Sequence, residues 1–488
     1  MKKLTIISLS LGLLASACTK NLTKLNNDPK SAVTVPSRTL FTKGEKDLSD
    51  LVSTTSVSTA PFRVLAQEWT ENTYVYEAQY NFAAYQAQAG FWNTLYSSTS
   101  GVINNLQQAK LTYPTDVSDP VALRNDLIIT DILEVYAYYM LTATYGDIPY
   151  TQSENKLIPF PAYDDAKTVY TDLLLRLDSC IAGINTSGAA MGAADLIYGG
   201  NLTTQCGQWK KFAATLKLKV AMLAATADAA TAGKKAGEAV ATGVFASAAD
   251  NALFSYDAAA VGNSNPIWQA LVNGGRHDFL PTNLLVNTML ALNDPRVPIY
   301  FKKDPNGNYT GGQPGGGNGY GINSDFGAII QTPAYPGNLL DYSQSEFLQA
   351  EAVERGFTAV TGTAESHYNN AITASIVFWG GTTAQAATYL AQASVAYTTA
   401  TGPWQQKIGY QEWIANYNHN WDAWTDIRRL GYPNLNVVSP PTSAQGNLPL
   451  RLTYPANEVT SNSVNWGAAA KKLPGGIDAV SAKLWWEQ

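Results

Sequence analysis

The chain has 488 residues, 45% of them hydrophobic and 14% charged, which is enough apolar side chain for a large folded body and too little charge for a disordered one. A formal net charge of -6 and a pI near 5.2 exclude the basic footprint that nucleic-acid binding requires. Aromatic residues make up 11% of the chain; rings in that number fill cores or form platforms for ligands with an apolar face, sugars included.

The N-terminus carries Lys2 and Lys3, an apolar run over 4–14, and then Ala15, Ser16, Ala17 and Cys18. This is the layout of a bacterial lipoprotein signal, in which cleavage after residue 17 leaves Cys18 first, acylated on its sulfur and its amino group. An ordinary secretory signal with an incidental cysteine is the alternative. The run is shorter than the roughly 20 residues that span a bilayer, and no later run approaches that length. Residues 19–36 are polar, with Asn26-Asn27-Asp28-Pro29 in the middle, and read as a tether. Several acyl chains would hold the protein stably at a membrane surface with its body in water.

Residues 69–80 mix Trp69, Tyr74, Tyr76 and Tyr80 with Glu71, Asn72, Glu77 and Gln79, and Phe82, Tyr85, Phe91 and Trp92 follow. Such a mixture can stack on a sugar ring and hydrogen-bond its hydroxyls; packing between neighbouring helices accounts for any single ring equally well.

From about residue 120 onward, helical periodicity dominates. Asp119-Pro120 offers an N-cap and a first-turn proline for a helix over about 120–145, with Ile129, Ile132, Leu133, Tyr136, Met140 and Ala143 on one face. Val169, Tyr170, Leu173, Leu174, Leu177 and Ile181 predict a second helix that ends near Gly183. Trp209, Phe212, Leu216, Val220 and Leu223 predict a third, whose Lys210, Lys211, Lys217 and Lys219 are expected on a solvated face. Ser343 and Glu346 fit a capping box before a helix at 347–352, and Tyr368, Ile372, Ile376 and Trp379 make its partner. Paired helices of this length suit tetratricopeptide-like hairpins, which must stack to bury their apolar faces. The intervening 250–341 is rich in Gly, Pro and Asn and predicts a lobe of loops and short elements.

Few residues suggest chemistry. The glycine-rich 311–317 lacks the Lys-Ser/Thr ending of a phosphate cradle and reads as a flexible surface loop. Asp304, Asn306 and Asn308 alternate like calcium ligands, but the glycine sits at the wrong position and no glutamate closes the run, so an Asx-rich turn is expected. His277, His367 and His419 are not in metal-ligand spacing and read as structural. Cys180 and Cys206 could bridge in an exported protein or lie buried as free thiols; both remain open. Asp164 with Asp165, and Glu351 with Glu354, fit helix N-termini and surfaces better than a catalytic cleft. No nucleophile occupies an activating motif.

Taken in order, several motifs resemble one family. They are Cys18 and its signal, Leu25-Asn26-Asn27-Asp28-Pro29, the 69–80 stretch, Phe91-Trp92-Asn93-Thr94-Leu95-Tyr96, and Tyr145-Gly146-Asp147-Ile148-Pro149-Tyr150. Asn293-Asp294-Pro295-Arg296, the 346–356 helix, the 411–433 segment with Trp413, Trp421 and Trp424, and Arg451-Leu452-Thr453-Tyr454-Pro455 continue the series. Together they resemble the SusD/RagB-like outer-membrane lipoproteins of Bacteroidetes, in the second SusD-like branch.

The resemblance implies a mostly α-helical, SusD-like fold with tetratricopeptide-like pairs and a loop-rich lobe. It divides the chain into a signal at 1–17, a lipidated tether at 18–37 and one domain at 38–488, with the scaffold at about 38–250 and 342–430 and the lobe at about 250–341 and 431–488. It implies a cell-surface binding protein without enzymatic activity; the residues themselves point to no metal ligand set and no cofactor. Such a protein delivers nutrient oligomers, glycans first, to a SusC-like TonB-dependent transporter; peptides are the alternative ligand, and an all-α glycoside hydrolase a more distant one. Ligand sites in the family are shallow aromatic patches, which here directs attention to Trp69, Asn72, Tyr74, Tyr76 and Tyr80, with Trp268, Tyr309 and Tyr320 from the lobe as partners.

Overall fold

The structure is a computed structural model and describes residues 35–82, 87–97, 99–153, 155, 157–438 and 447–488. Cys18, the tether up to residue 34 and Tyr85 lie outside these residues, whereas Ser37, expected at the end of the tether, already begins a helix.

Helix α1 (Ser37–Ser53) packs against α3 (Val102–Asp116), with α2 (Ala87–Tyr96) beside them. Helix α4 (Pro120–Tyr145) follows and pairs with α5 (Ala166–Gly183). Next, α6 (Gln205–Leu223) pairs with α7 (Ala229–Thr242). Further contacts of α3 with α4, and of α5 with α6, join the pairs into a continuous stack.

The start and end of α4 follow from its sequence. The Asp119 carboxylate accepts from the backbone N–H groups of Val121 and Ala122, Pro120 presets the first turn, and Gly146 ends the helix at φ 90°. By length and composition this helix could cross a membrane, contrary to the expectation that no such run occurs after the signal. However, 83% of its apolar window is buried against the rest of the protein. Asp131 and Glu134 of α4 each pair with Lys110 of α3 and Arg176 of α5 at 2.6–2.9 Å, so charged groups bind three layers together.

The solvated face expected on α6 holds only in part. Lys217 and Lys219 are buried, Lys217 between Asp178 and Glu238, and Lys219 against Asp422 at 2.7 Å. The helix is enclosed by α5 and α7 on its flanks and by α9 (Tyr342–Glu354), which follows the lobe's α8 (Asn283–Ala291) in the chain. Its lysines meet carboxylates supplied by distant parts of the chain.

Helix α9 pairs with α10 (Ala364–Phe378), and α11 (Thr383–Leu390) and α12 (Trp404–Ala415) extend this half. Phe347, Tyr368, Ile372, Ile376, Tyr389 and Ile408 form a second hydrophobic cluster there. The N-cap of α9 is Asp341, which accepts from the Gln344 N–H, and not Ser343, whose hydroxyl donates to the Ala371 carbonyl. Glu346 faces His367 at 2.7 Å.

Helix α13 (Asn420–Leu430) is closed by Gly431 in the left-handed region. It buries Trp421 and Trp424, and Trp413 of α12 is also in the core. Arg429 pairs with Asp426, whereas Arg428 lies between the Trp424 and Trp486 rings and pairs with Glu487.

Strands are few and short. Ribbons join β2 (Ile148–Pro149) to β3 (Tyr163–Asp164) and β4 (Ala252–Phe254) to β6 (Gly337–Leu340). The third ribbon pairs β1 (Trp69–Glu71) antiparallel with β5 (Phe279–Pro281), in the register Trp69 with Pro281 and Glu71 with Phe279. It binds the early aromatic segment to the loop-rich lobe. Cys180 and Cys206 are both buried as free thiols.

Candidate ligand-binding site

At Glu71 the chain leaves the β1–β5 ribbon and forms a closed loop over 72–81. The Asn72 N–H donates to the Asp278 carbonyl, Tyr76 N–H to Tyr74 O, and Asn81 N–H to Tyr76 O, all at 2.8 Å. The Glu71 carboxyl accepts from the Ala78 N–H at 3.0 Å and ties the loop's two ends together. Tyr74 is held at φ 60°, an uncommon value for a residue with a Cβ. Its ring is 63% exposed and that of Tyr76 is 42% exposed.

The carboxyls beneath this loop are unusual. Burial, and then the neighbouring Glu77 carboxylate, push the Glu71 carboxyl up to about 8. Burial alone raises Glu77 to about 7.

The glycine-rich loop is docked on the same segment and is not a free surface loop. The Asn318 amide donates to the carbonyls of Glu71, Gln313 and Gly316 at 3.0–3.1 Å and accepts from the Gln313 N–H at 2.8 Å. Thr70 donates to the Gln313 carbonyl and Gln79 to that of Gly315. Glycine is required at 311, where a Cβ would lie 2.3 Å from the Thr282 backbone. The 304–310 segment is an Asx-rich turn as expected: one Asp304 oxygen accepts from the N–H groups of Asn306 and Asn308.

Between the two loops lies a cavity of about 210 Å³. Leu271, Phe279, Leu280 and Phe326 form its floor, and Asn72, His277 and Tyr320 are among its walls. Tyr320 is 66% exposed and its ring lies 4.9 Å from that of His277. Arg276 and Asp325 also line the cavity, but Arg276 is paired with Asp278 and Asp325 with Lys302.

The structure therefore divides the residues expected at the site. Asn72 and Tyr320, far apart in sequence, line one cavity, and Tyr74 and Tyr76 rise from the loop that begins at Asn72. Trp69 and Tyr80 are corrected to framework residues. Trp69 is 2% exposed and stacks on Phe326 at 4.1 Å, with the Arg63 guanidinium 4.9 Å from its ring. Tyr80 is fully buried, its hydroxyl bonded to the Gln67 amide and the Leu65 carbonyl. Buried rings cannot meet a surface ligand. Trp268 and Tyr309 are half-buried, and neither is among the residues that line the cavity.

Sequence reasoning misses Arg276, His277 and Asn323. The available signal is a polar Arg276-His277-Asp278 run just before a strand, in a segment opened by Gly274-Gly275. His367 and His419 are structural, as expected: both are buried against carboxylates, and Asp341 and Asp422 overcome the burial of His419 to raise it to about 9. Among the described residues no group of His, Cys, Asp and Glu could hold a metal.

A stacked helical scaffold with aromatic loops around a small cavity defines the SusD-like fold class. Solved structures agree. A chitin-binding protein is 24% identical with a TM-score of 0.79, over 92% of this chain and 99% of its own. A chitin-binding SusD homologue from Flavobacterium johnsoniae is 22% identical with a TM-score of 0.74, over 92% and 98%. A SusD homologue from Bacteroides fragilis NCTC 9343 is 22% identical with a TM-score of 0.76, over 93% and 100%. No curated protein is significantly similar in sequence. The family profile described as "Starch-binding associating with outer membrane" (SusD-like_2) matches residues 27–455, and the chain belongs to that family. Members are outer-membrane nutrient-binding proteins rather than enzymes.

Proposed function

We propose that this protein captures a glycan on Tyr74, Tyr76 and Tyr320, with Asn72 as a polar contact, and passes it to a SusC-like TonB-dependent transporter. Acylation at Cys18 would anchor it in the outer membrane, facing the cell exterior. The observation that supports the reading is that the exposed Tyr320 lines one cavity together with Asn72, the residue that opens the loop carrying the exposed Tyr74 and Tyr76. Exposed rings on ordered backbone offer a stacking surface at little entropic cost, about 1 kcal/mol for each ring. Such weak contact suffices where a transporter closes the site from the other side.

The reading assigns the protein no catalytic step. Asp325 is the single carboxylate among the residues lining the cavity, and glycoside hydrolysis uses two. Two of the similar structures are described as chitin-binding, which makes chitin oligomers the first probe.

The test is binding of the soluble chain, starting after Cys18, to polysaccharides and peptides, with a Tyr74→Ala, Tyr320→Ala double variant alongside. Binding to one glycan class that the variant loses supports the proposal. Binding to peptides alone refutes the glycan assignment and leaves the fold untouched.

A further inference from the structure

The cavity is small for a ligand site. At about 210 Å³ it falls below the roughly 300 to 1,000 Å³ of pockets that enclose drug-sized ligands, so it admits one substituent or one ring and not a threaded oligomer. The chain of a bound glycan would lie outside, on the exposed tyrosines, and project a single group inward.

The chemistry of that group follows from the walls. Leu271, Phe279, Leu280 and Phe326 give the cavity an apolar side, and the buried Ser324 in the same lining already accepts from the Thr310 N–H; a hydroxyl or an ammonium pressed against the apolar side would give up its water without a replacement partner. A methyl group meets no such cost. Charged groups at the cavity are already committed. The Arg276 guanidinium meets Asp278 through Nε and Nη2 at 2.5–2.6 Å and lies 5.5 Å from the Phe279 ring. Asp325 meets Lys302 at 3.0 Å. Among the residues lining the cavity the guanidinium and the carboxylate are both paired, which leaves a uronate or sialate carboxylate, or an amino sugar, no partner of this kind but the His277 ring. Of the carboxamides in the lining, Asn72 already donates to the His277 carbonyl and accepts from Thr73, and Gln331 donates to the Phe326 carbonyl; Asn323 and the Gln331 oxygen remain to hydrogen-bond another amide.

A methyl-terminated, uncharged group that carries an amide is an acetamido group. Resting on the glycan reading above, we infer that the cavity walled by Tyr320 and His277 is a specificity pocket for the N-acetyl substituent of an amino sugar. The methyl sits on the Phe279–Phe326 floor and the amide faces the carboxamides of the rim.

The test compares three oligosaccharides of equal length and linkage by calorimetry: the β-1,4 oligomers of N-acetylglucosamine, of glucosamine and of glucose. The acetylated oligomer is expected to bind at least about tenfold more tightly than the other two, the discrimination that one small apolar group in a fitted pocket provides. Leu271→Phe, which fills the floor, and Asn323→Ala, which removes a rim amide, should each erase most of that preference. Melting curves identify a variant that has failed to fold, and the other variant then decides. Equal binding of all three oligomers, or a preference that survives in the folded variants, overturns the pocket assignment and leaves the glycan reading standing. If none of the three binds the wild-type chain, the pocket assignment falls, and the glycan reading falls with it only where the polysaccharide panel also shows no binding.

Discussion

Glu71→Gln should make the protein more stable at alkaline pH and barely change it at acid pH. The Glu71 carboxyl lies at the end of β1, 2% exposed, where it accepts from the Ala78 N–H. Burial holds its proton on to about 8, against an ordinary 4.5, with help from Glu77 and Asp278 and against the Ala78 N–H and Arg276. The folded state therefore keeps a proton that the unfolded chain releases near 4.5. Stability from this group is full below that pH, declines through the neutral range and is lost above about 8. At about 1.4 kcal/mol per pH unit the whole window amounts to about 4 to 5 kcal/mol, and water reaching the adjacent loop reduces the expected value to about 2 kcal/mol. Glutamine keeps an acceptor for Ala78 and carries no charge at any pH. Urea melts of the two proteins at about pH 5 and about pH 9 are the assay. The curves should nearly coincide at the lower pH and separate by about 2 kcal/mol at the higher, with the variant more stable. Part of the slope left in the variant belongs to Glu77, which burial raises to about 7, and the Glu71→Gln, Glu77→Gln pair should lower it further; Glu134 and Asp426, each raised by burial to about 7, keep the rest. Parallel pH profiles for wild type and variant would refute the buried-proton argument.

Lys219→Ala should cost about 3 to 5 kcal/mol in urea unfolding, because it leaves the Asp422 carboxylate buried with one cation fewer; a loss below about 1 kcal/mol would mean that water reaches the pair. Trp69→Ala should cost about 3 to 5 kcal/mol by removing a ring stacked within the core, whereas Tyr74→Ala should stay within about 0.5 kcal/mol of wild type and reduce glycan binding about fivefold. Gly311→Ala should destabilise by about 1 to 3 kcal/mol, since its methyl would meet the Thr282 backbone, and should weaken binding by displacing the loop that carries Tyr320; unchanged melting would show that the glycine loop is not docked.

Helices are legible wherever their signals are local. Asp119-Pro120 before α4, Asp165 before α5 and the three-four periodicity of both are contained within a few turns, so the residues themselves announce start, face and end. Lys217 and Lys219 mislead for the opposite reason: a lysine beside apolar residues looks solvated unless its partners are known. Asp178, Glu238 and Asp422 come from other helices.

The candidate site divides at one residue for the same kind of reason. Within 69–80, aromatic and polar side chains alternate with no marker that separates framework from surface. The marker is tertiary. Pairing with β5 buries Trp69, Thr70 and Glu71 together, because this ribbon lies between the lobe and the helical scaffold and has no solvated face. The last bond that follows the ribbon is that of Asn72 to the Asp278 carbonyl, and beyond it Tyr74 and Tyr76 are exposed. A ring's role in this segment is therefore set by which side of Asn72 it occupies and by whether the loop turns it outward. Tyr80, past the turn, returns to the core through its bonds to Gln67 and Leu65. Composition raises the expectation that some of these rings face a ligand, but only the antiparallel register with a strand about 200 residues away, and the loop that closes at Glu71, determine which of them are exposed.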